Sequence, residues 1–156
     1  MTPGDRVSVS VTVEADPATA FALFTEETDL WWRRGPKYRI AGRNPGVLKF
    51  EPGVGGRLTE SFDAKEFTTG TITVWNPPQA LEFEWRGVNF VPGESTHVQV
   101  RFDAVPTGTR VTILHTGWAS LRPDHPVRHG QPVAAFIRTM GMWWGDLMTS
   151  FREHAS

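Results

Sequence analysis

The feature that most constrains the fold is a long amphipathic segment near the end of the chain, from Pro132 to His154. Its apolar residues recur at spacings of three and four, so at about 100° per residue they share a face roughly 140° wide. These residues are Val133, Phe136, Ile137, Met140, Trp143, Trp144, Leu147, Met148 and Phe151. Gly141 and Gly145 each cost about 1 kcal/mol relative to alanine inside a helix, so packing must stabilise it. The pattern predicts one helix whose wide apolar face needs a partner surface.

The chain before this helix has the pattern of a sheet. Val7, Val9, Val11 and Val13 alternate with polar residues, and six later runs alternate in the same way between turn residues. These runs are Val47 to Glu51, Arg57 to Asp63, Thr69 to Trp75, Ala80 to Arg86, Thr96 to Ala104 and Thr109 to Thr116. Asp16 and Pro17 are typical of a helix start, and this helix is expected to extend towards Trp32. The order predicts an α+β fold, in which a curved antiparallel sheet of about six or seven strands wraps around the C-terminal helix, within one domain spanning residues 1–156.

Composition excludes several classes of function. The chain has no cysteine, which rules out disulfides, thiolate catalysis and cysteine-ligated metals, and fits a reducing cytoplasm. Sixteen basic and seventeen acidic residues leave a net charge of -1, so no global field attracts nucleic acid. No apolar run reaches the ~18 residues of a membrane span, and residues 1–6 lack the apolar core of a signal peptide. A cytoplasmic protein without a nucleic-acid partner or a membrane span is expected.

The aromatic content is the most informative part of the composition. Seven tryptophans and ten phenylalanines accompany one tyrosine, and such rings must be buried or face something apolar. The period of two predicts which strand residues point inward. The apolar ones are Leu48, Phe50, Leu58, Phe62, Ile72, Val74, Leu81, Phe83, Trp85, Val98, Val100, Phe102, Val111 and Ile113. The same period places two polar residues, Glu60 and His115, on the inner face.

Glu60 and His115 are the candidate catalytic residues. A histidine beside a buried carboxyl can be oriented or charged by it, which would permit acid-base chemistry. In the structural alternative, Glu60 pairs with Arg57 or with His115, and His115 donates to a backbone carbonyl. The chain has no Gly-x-Ser-x-Gly motif and no Walker loop. The sequence therefore favours a binding protein over an enzyme, and predicts no cofactor.

Two further clusters are weaker. Asp124, His125 and His129 have nearly the spacing of metal ligands on a helix, but Pro126 interrupts them, so no metal site is predicted. The basic stretch from Arg33 to Arg43 is typical of a solvated loop, with contact to phosphate as the alternative.

Several short motifs follow one another in a familiar order. They are Asp16-Pro17 followed by Phe21, Phe24, Thr25 and Trp31; Pro52-Gly-Val-Gly-Gly56; Gly70 leading through Ile72 and Val74 to Pro77-Pro78; Leu81-Glu-Phe-Glu-Trp85; Glu94-Ser-Thr96 before Val98, Val100 and Phe102; Gly108-Thr-Arg with His115-Thr-Gly-Trp118; and the final helix with its tryptophans. In this order and spacing the chain resembles the activator of heat-shock protein 90 ATPase homologue family, a branch of the START-like (SRPBCC) superfamily. The resemblance covers most of the chain. It implies a helix-grip fold with a cavity between the sheet and the last helix, and, because some members are co-chaperones, a chaperone as an alternative partner.

The function predicted from these features is binding of a small hydrophobic ligand, lipid-like or polyketide-like, in that cavity. The predicted lining residues are Phe50, Glu60, Phe62, Trp85, His115, Trp118, Phe136, Met140 and Trp144. One alternative is a partner-binding module of the chaperone-activator type. Met142 points away from the apolar arc and could serve such a contact or a homodimer. The other alternative is a cyclase-like or hydrolytic enzyme that uses Glu60 and His115.

Overall fold

The computed structural model describes residues 6–32, 47–62, 64–86, 95–117 and 133–155. The helices are α1 (Pro17–Glu26), α2 (Thr28–Trp31) and α3 (Val133–His154). The strands are β1 (Arg6–Val13), β2 (Val47–Phe50), β3 (Arg57–Phe62), β4 (Lys65–Asn76), β5 (Ala80–Trp85), β6 (Thr96–Val105) and β7 (Gly108–Thr116). The strands form one curled antiparallel sheet in the order β1-β7-β6-β5-β4-β3-β2, with α3 against its inner face. The predicted α+β fold is confirmed.

The helical region after β1 is divided in two. The Asp16 carboxylate accepts a hydrogen bond from Thr19 N at 2.8 Å, which caps α1 as predicted. The helix then breaks at Glu27, so the segment expected to extend towards Trp32 consists of α1 and the short α2. The hydroxyls of Thr25 and Thr28 donate to carbonyls four residues earlier, on each side of this break.

Strand β4 begins earlier than predicted. It starts at Lys65 rather than Thr69, because its pairing with β3 continues as far as the pair Phe62–Lys65. The predicted strand, which starts at Thr69, therefore lacks the first four residues of β4.

A register shift in β4 also overturns one predicted orientation. Ile72 pairs with the buried Phe83, but the next residue in register is Val74, which pairs with Glu82. Residue 73 is thus one extra residue in β4, and such a bulge shifts the alternation by one position. The prediction that Val74 points inward is wrong, and Trp75 lies on the inner face in its place.

The core at the far end of α3 is built from aromatic rings around Phe24, which is fully buried. Its ring centroid lies 4.6 Å from that of Trp31, 5.5 Å from Phe151 and 5.7 Å from Phe102. Edge-to-face and tilted pairs at these distances each contribute about 0.5–1.5 kcal/mol beyond the area that they bury. This part of the interior is closely packed, and it joins α1, α2, β6 and α3.

The edge of the sheet at β2 is covered by α2. Leu48 N donates to Asp29 Oδ1 at 3.0 Å, so the carboxylate occupies a backbone donor that β3 does not use. The exposed residues Leu30 and Val47 lie next to this contact in sequence.

None of the helices in the described part of the chain is long and apolar enough to cross a membrane.

Candidate functional site

The predicted lining residues that the structure describes are all buried. Glu60, His115, Met140 and Trp144 each have 0% exposure, and Phe50 and Trp85 have 5% or less. The side chains of Phe62 and Phe136, and the whole of Trp118, lie outside the described part, as do Asp124, His125, His129 and the basic stretch from Arg33 to Arg43.

Four indole rings lie together between the sheet and the middle of α3, and we call them the indole cluster: Trp32, Trp85, Trp143 and Trp144. Within it the ring centroids of Trp143 and Trp144 are 5.0 Å apart, and those of Trp32 and Trp144 are 5.5 Å apart. Trp85 of β5 contacts Trp143 at 5.7 Å. The cluster joins the end of α2, the sheet and α3 at the end of the sheet where β5 finishes and β6 starts.

A chain of hydrogen bonds crosses the cluster. Trp144 Nε1 donates to His115 Nδ1 at 2.9 Å, and His115 Nε2 lies 2.6 Å from Thr96 Oγ1. The Thr96 hydroxyl donates to the carbonyl oxygen of Trp85 at 3.2 Å. Because Nδ1 accepts from the indole, the ring proton of neutral His115 is on Nε2, which donates to Thr96. Donor and acceptor directions therefore agree along the whole chain, and we call it the histidine relay.

The histidine relay holds His115 as a neutral ring. Burial removes the solvation of the charged form and lowers the pKa of His115 well below its usual value, and the nearby His97 lowers it further. Protonation would also require Nδ1 to carry a hydrogen that faces the indole N–H of Trp144. The Nδ1 lone pair, which a general base would use, is occupied. The relay therefore has the chemistry of a structural and orienting element.

This arrangement predicts a specific loss of stability in mild acid. The unfolded chain takes up a proton on His115 near pH 6.5, whereas the folded protein does so only at lower pH. Stability is therefore complete above pH ~6.5 and should fall by up to about 1.4 kcal/mol for each pH unit below it, until the folded pKa is reached. Urea unfolding at about pH 7.5, 6.5 and 5.5 measures the slope.

The matched control for that experiment is His115→Gln, which keeps a polar side chain but does not titrate. Its unfolding free energy should depend less steeply on pH between about 6.5 and 5.5 than that of the wild type. Equal slopes in the two proteins would show that His115 does not bear the acid sensitivity.

Glu60 is buried on β3, between Leu48 of β2 and Phe67 of β4 in the ladder. In the sheet order, β3 and β7 are separated by β4, β5 and β6, so the Glu60 and His115 backbones are four strand spacings apart, roughly 19 Å along the sheet. Adjacent strands thus do not bring Glu60 and His115 together.

The arginine considered as a partner for Glu60 is bonded elsewhere. Arg57 lies 2.9 Å from Glu51 and 3.1 Å from Glu66, all three being exposed. Its hydrogen bonds lower the pKa of Glu51 to about 2. These contacts use the guanidinium on the outer face of β3, whereas the next residue, Leu58, is fully buried on the inner one.

Two buried donors in this region have no partner among the described residues: Trp31 Nε1 and Thr69 Oγ1. The Thr69 carbonyl accepts a hydrogen bond from Arg86 N, and Arg86 directly follows Trp85 of the indole cluster. The backbone of Thr69 therefore lies beside the cluster. An unpartnered buried hydroxyl costs about 1–3 kcal/mol, so it favours binding of a group that can hydrogen-bond to it.

Thr96 is a site residue that was not predicted, although its position in the strand carries a signal. Thr96 has the same parity as Val98, Val100 and Phe102, so period two places it on the inner face with them. No group of three or more histidine, aspartate or glutamate side chains in the described ranges is arranged to hold a metal ion.

The curled seven-stranded sheet with a long helix along its inner face is the helix-grip arrangement of START-like proteins. Solved structures share it over nearly the whole chain. The Aha1 dimer from Colwellia psychrerythraea has a TM-score of 0.64 at 14% identity, and the match covers 96% of this chain and 95% of that one. An HSP90 activator from Plasmodium falciparum has a TM-score of 0.64 at 14% identity, and the match covers 96% of this chain and 94% of that one. DynU16, from the dynemicin biosynthetic locus, has a TM-score of 0.66 at 18% identity and covers 97% of this chain but 47% of its own. At these identities the likeness establishes the fold.

The family itself follows from the sequence match. The family described as Activator of Hsp90 ATPase homolog 1-like protein matches residues 14–135, which is most of the chain. The chain belongs to this family, and the resemblance found in its motifs is confirmed. No curated protein sequence matches the chain significantly.

Proposed function

We propose that the protein binds a small, mostly apolar ligand between the sheet and the first half of α3, against the indole cluster. The proposed lining is Phe50, Glu60, Phe62, Trp85, His115, Trp118, Phe136, Met140 and Trp144. The observation that carries the proposal is the concentration of four indole rings at one end of the space between the sheet and α3. They lie beside the histidine relay, which holds His115 uncharged.

The second half of α3 is closely packed. Phe151 there is fully buried, and its ring centroid lies 5.5 Å from that of Phe24 in α1 and 5.2 Å from that of Trp31 in α2. The proposed site is therefore placed at the earlier turns of α3, beside Met140, Trp143 and Trp144.

The polar groups constrain the ligand. Because His115 and Thr96 bond to each other and to Trp144 and Trp85, the relay offers no charged group. The Thr69 hydroxyl is buried and has no partner in the described part of the chain. A ligand with one or two hydroxyl or carbonyl oxygens on an apolar body fits this setting, since binding sites of this kind combine apolar walls with few polar contacts.

The test is a ligand panel with thermal unfolding as the readout. Fatty acids and aromatic polyketide-like compounds are mixed with the purified protein, and the midpoint temperature is recorded. A ligand present at 100 times its dissociation constant stabilises the folded state by about 2.7 kcal/mol, which for a chain of this size corresponds to a rise of roughly 5–10 °C.

Two variants of α3 locate the ligand. Trp143→Leu changes the indole cluster, so the shift caused by a bound ligand should shrink. Met142→Ala changes an exposed side chain one residue away on the same helix and should leave the shift intact. A panel without any shift would refute the proposal. If such a protein also raised the ATPase rate of purified Hsp90, partner binding of the kind named for the Plasmodium falciparum structure would take its place.

A further inference from the structure

We infer that the protein has a second small-molecule site at the other end of the sheet's inner face, between α1 and the turns that follow β2 and β4, and that this site takes an uncharged apolar compound. We call it the α1 groove. It has a volume of about 530 Å³ and is lined by one face of α1, the end of β2 and the β4–β5 turn. This volume is within the range of roughly 300–1,000 Å³ of sites for small ligands.

The floor of the α1 groove is aromatic and anchored. Phe21, Phe50 and Trp75 line it, and the first two are only 4% exposed. Phe21 packs edge-on against Trp75 at 5.1 Å, and it also contacts Phe102 at 5.1 Å. These contacts continue into the core, so the floor is held in place before any ligand binds. A preformed site binds more tightly because less ordering is needed.

The rim determines the charge of the ligand. Its charged residues are one acid, Glu26 on α1, and one base, Lys49 on β2, and both are exposed. Opposite charges on the two walls give the groove no net attraction for either sign. The buried Thr25 hydroxyl on the α1 wall donates to Phe21 O. A neutral apolar molecule therefore suits the groove better than an anion or a cation.

The α1 groove is separate from the indole cluster. Trp75 pairs with Leu81 at the start of β5, whereas Trp85 of the cluster ends the same strand. Four residues of strand place the two sites roughly 13 Å apart along β5. Phe50 belongs both to the α1 groove and to the lining proposed for the ligand site between the sheet and α3.

The test uses N-phenylnaphthylamine, a neutral aromatic probe whose fluorescence rises in apolar surroundings, with a substitution that fills the groove. Ala18 lies on the α1 wall and is exposed, so Ala18→Phe adds a ring to the groove with little risk to folding. Probe affinity should fall at least about tenfold, because the pocket volume is taken. The matched control is Thr19→Phe, one residue along the same helix, exposed and not in the lining, which should bind the probe as the wild type does.

A second probe tests the charge class. Anilinonaphthalene sulfonate has a similar ring system with an anionic group, and it should bind the wild type at least about tenfold more weakly than the neutral probe. Equal binding of the neutral probe to Ala18→Phe and wild type would place its site elsewhere and overturn the inference, as would the absence of probe binding. Tighter binding of the sulfonate would overturn the proposed ligand class. Binding that is lost in Ala18→Phe but kept in Trp143→Leu supports the groove whether or not the grip binds a ligand.

Discussion

Gly70→Ala is expected to prevent stable folding. Gly70 lies in β4 opposite Leu58, and an added Cβ would fall far inside the contact distance of the Glu84 carbonyl group on β5. The obstacle is backbone within the sheet, so no side chain can turn aside to make room. Strands β4 and β5 would have to separate locally, with loss of hydrogen bonds and packing. The unfolding free energy should fall by more than about 4 kcal/mol, in the exceptional range for one substitution.

The same change of residue elsewhere provides the control. In Gly141→Ala the added methyl meets nothing within 4 Å, and the position is inside α3. Alanine is the better helix former by about 1 kcal/mol, so this variant should be slightly more stable than the wild type. Urea unfolding and circular dichroism of both variants decide the matter. A well-folded Gly70→Ala protein of wild-type stability would mean that β4 and β5 are not packed as described.

Trp144→Ala is the second substitution with a large expected effect. Trp144 is fully buried, and replacing a buried tryptophan by alanine typically costs about 3–5 kcal/mol. Here the loss includes a hydrogen bond, because His115 Nδ1 would lose the indole donor and be left buried without it. Together these losses amount to a third or more of the stability of a typical domain, which is roughly 5–15 kcal/mol.

Added indole separates the two parts of that loss. The cavity left in Trp144→Ala has the shape of an indole, and engineered apolar cavities of this size bind small aromatic compounds. Indole should raise the midpoint temperature of the variant, and benzothiophene, which has a similar shape but no N–H, should raise it less. Equal rescue by both would show that the bond to His115 contributes little. No rescue by either compound would mean that the cavity collapses.

The architecture could be predicted from the sequence because its signals are local. Period two in β1, β5, β6 and β7, and the spacing of three and four in α3, each depend on one segment and one buried face. The α1 cap is equally local, since Asp16 and Thr19 are three residues apart. These features require no knowledge of what lies across the core.

The errors occur where one strand departs from regular alternation. A bulge changes which face each later residue occupies, and nothing in the residues around Val74 marks the extra position. Val74 was therefore assigned inward in place of Trp75. The break at Glu27 is also unmarked in the sequence, because the residues before it and after it both form helix.

The residues of the candidate site could be predicted from the sequence, but the hydrogen bonds that connect them could not. The period of two alone predicts that Glu60 and His115 lie on the inner face of the sheet, and both are fully buried. The histidine relay depends on contacts between residues 19 and 29 positions apart, which no period reveals. The placement of Glu60 and His115 on strands four spacings apart depends in turn on the order of strands in the sheet, which alternation does not specify.

The contact between Asp29 and Leu48 N has a consequence for assembly. An edge strand with free N–H groups can pair with a strand of another molecule, which is a common route to sheet extension and aggregation. At β2 the carboxylate of α2 already occupies one of these donors. A second molecule could add a strand there only after α2 moved away, so the contact protects the β2 edge against continuation of the sheet into another molecule.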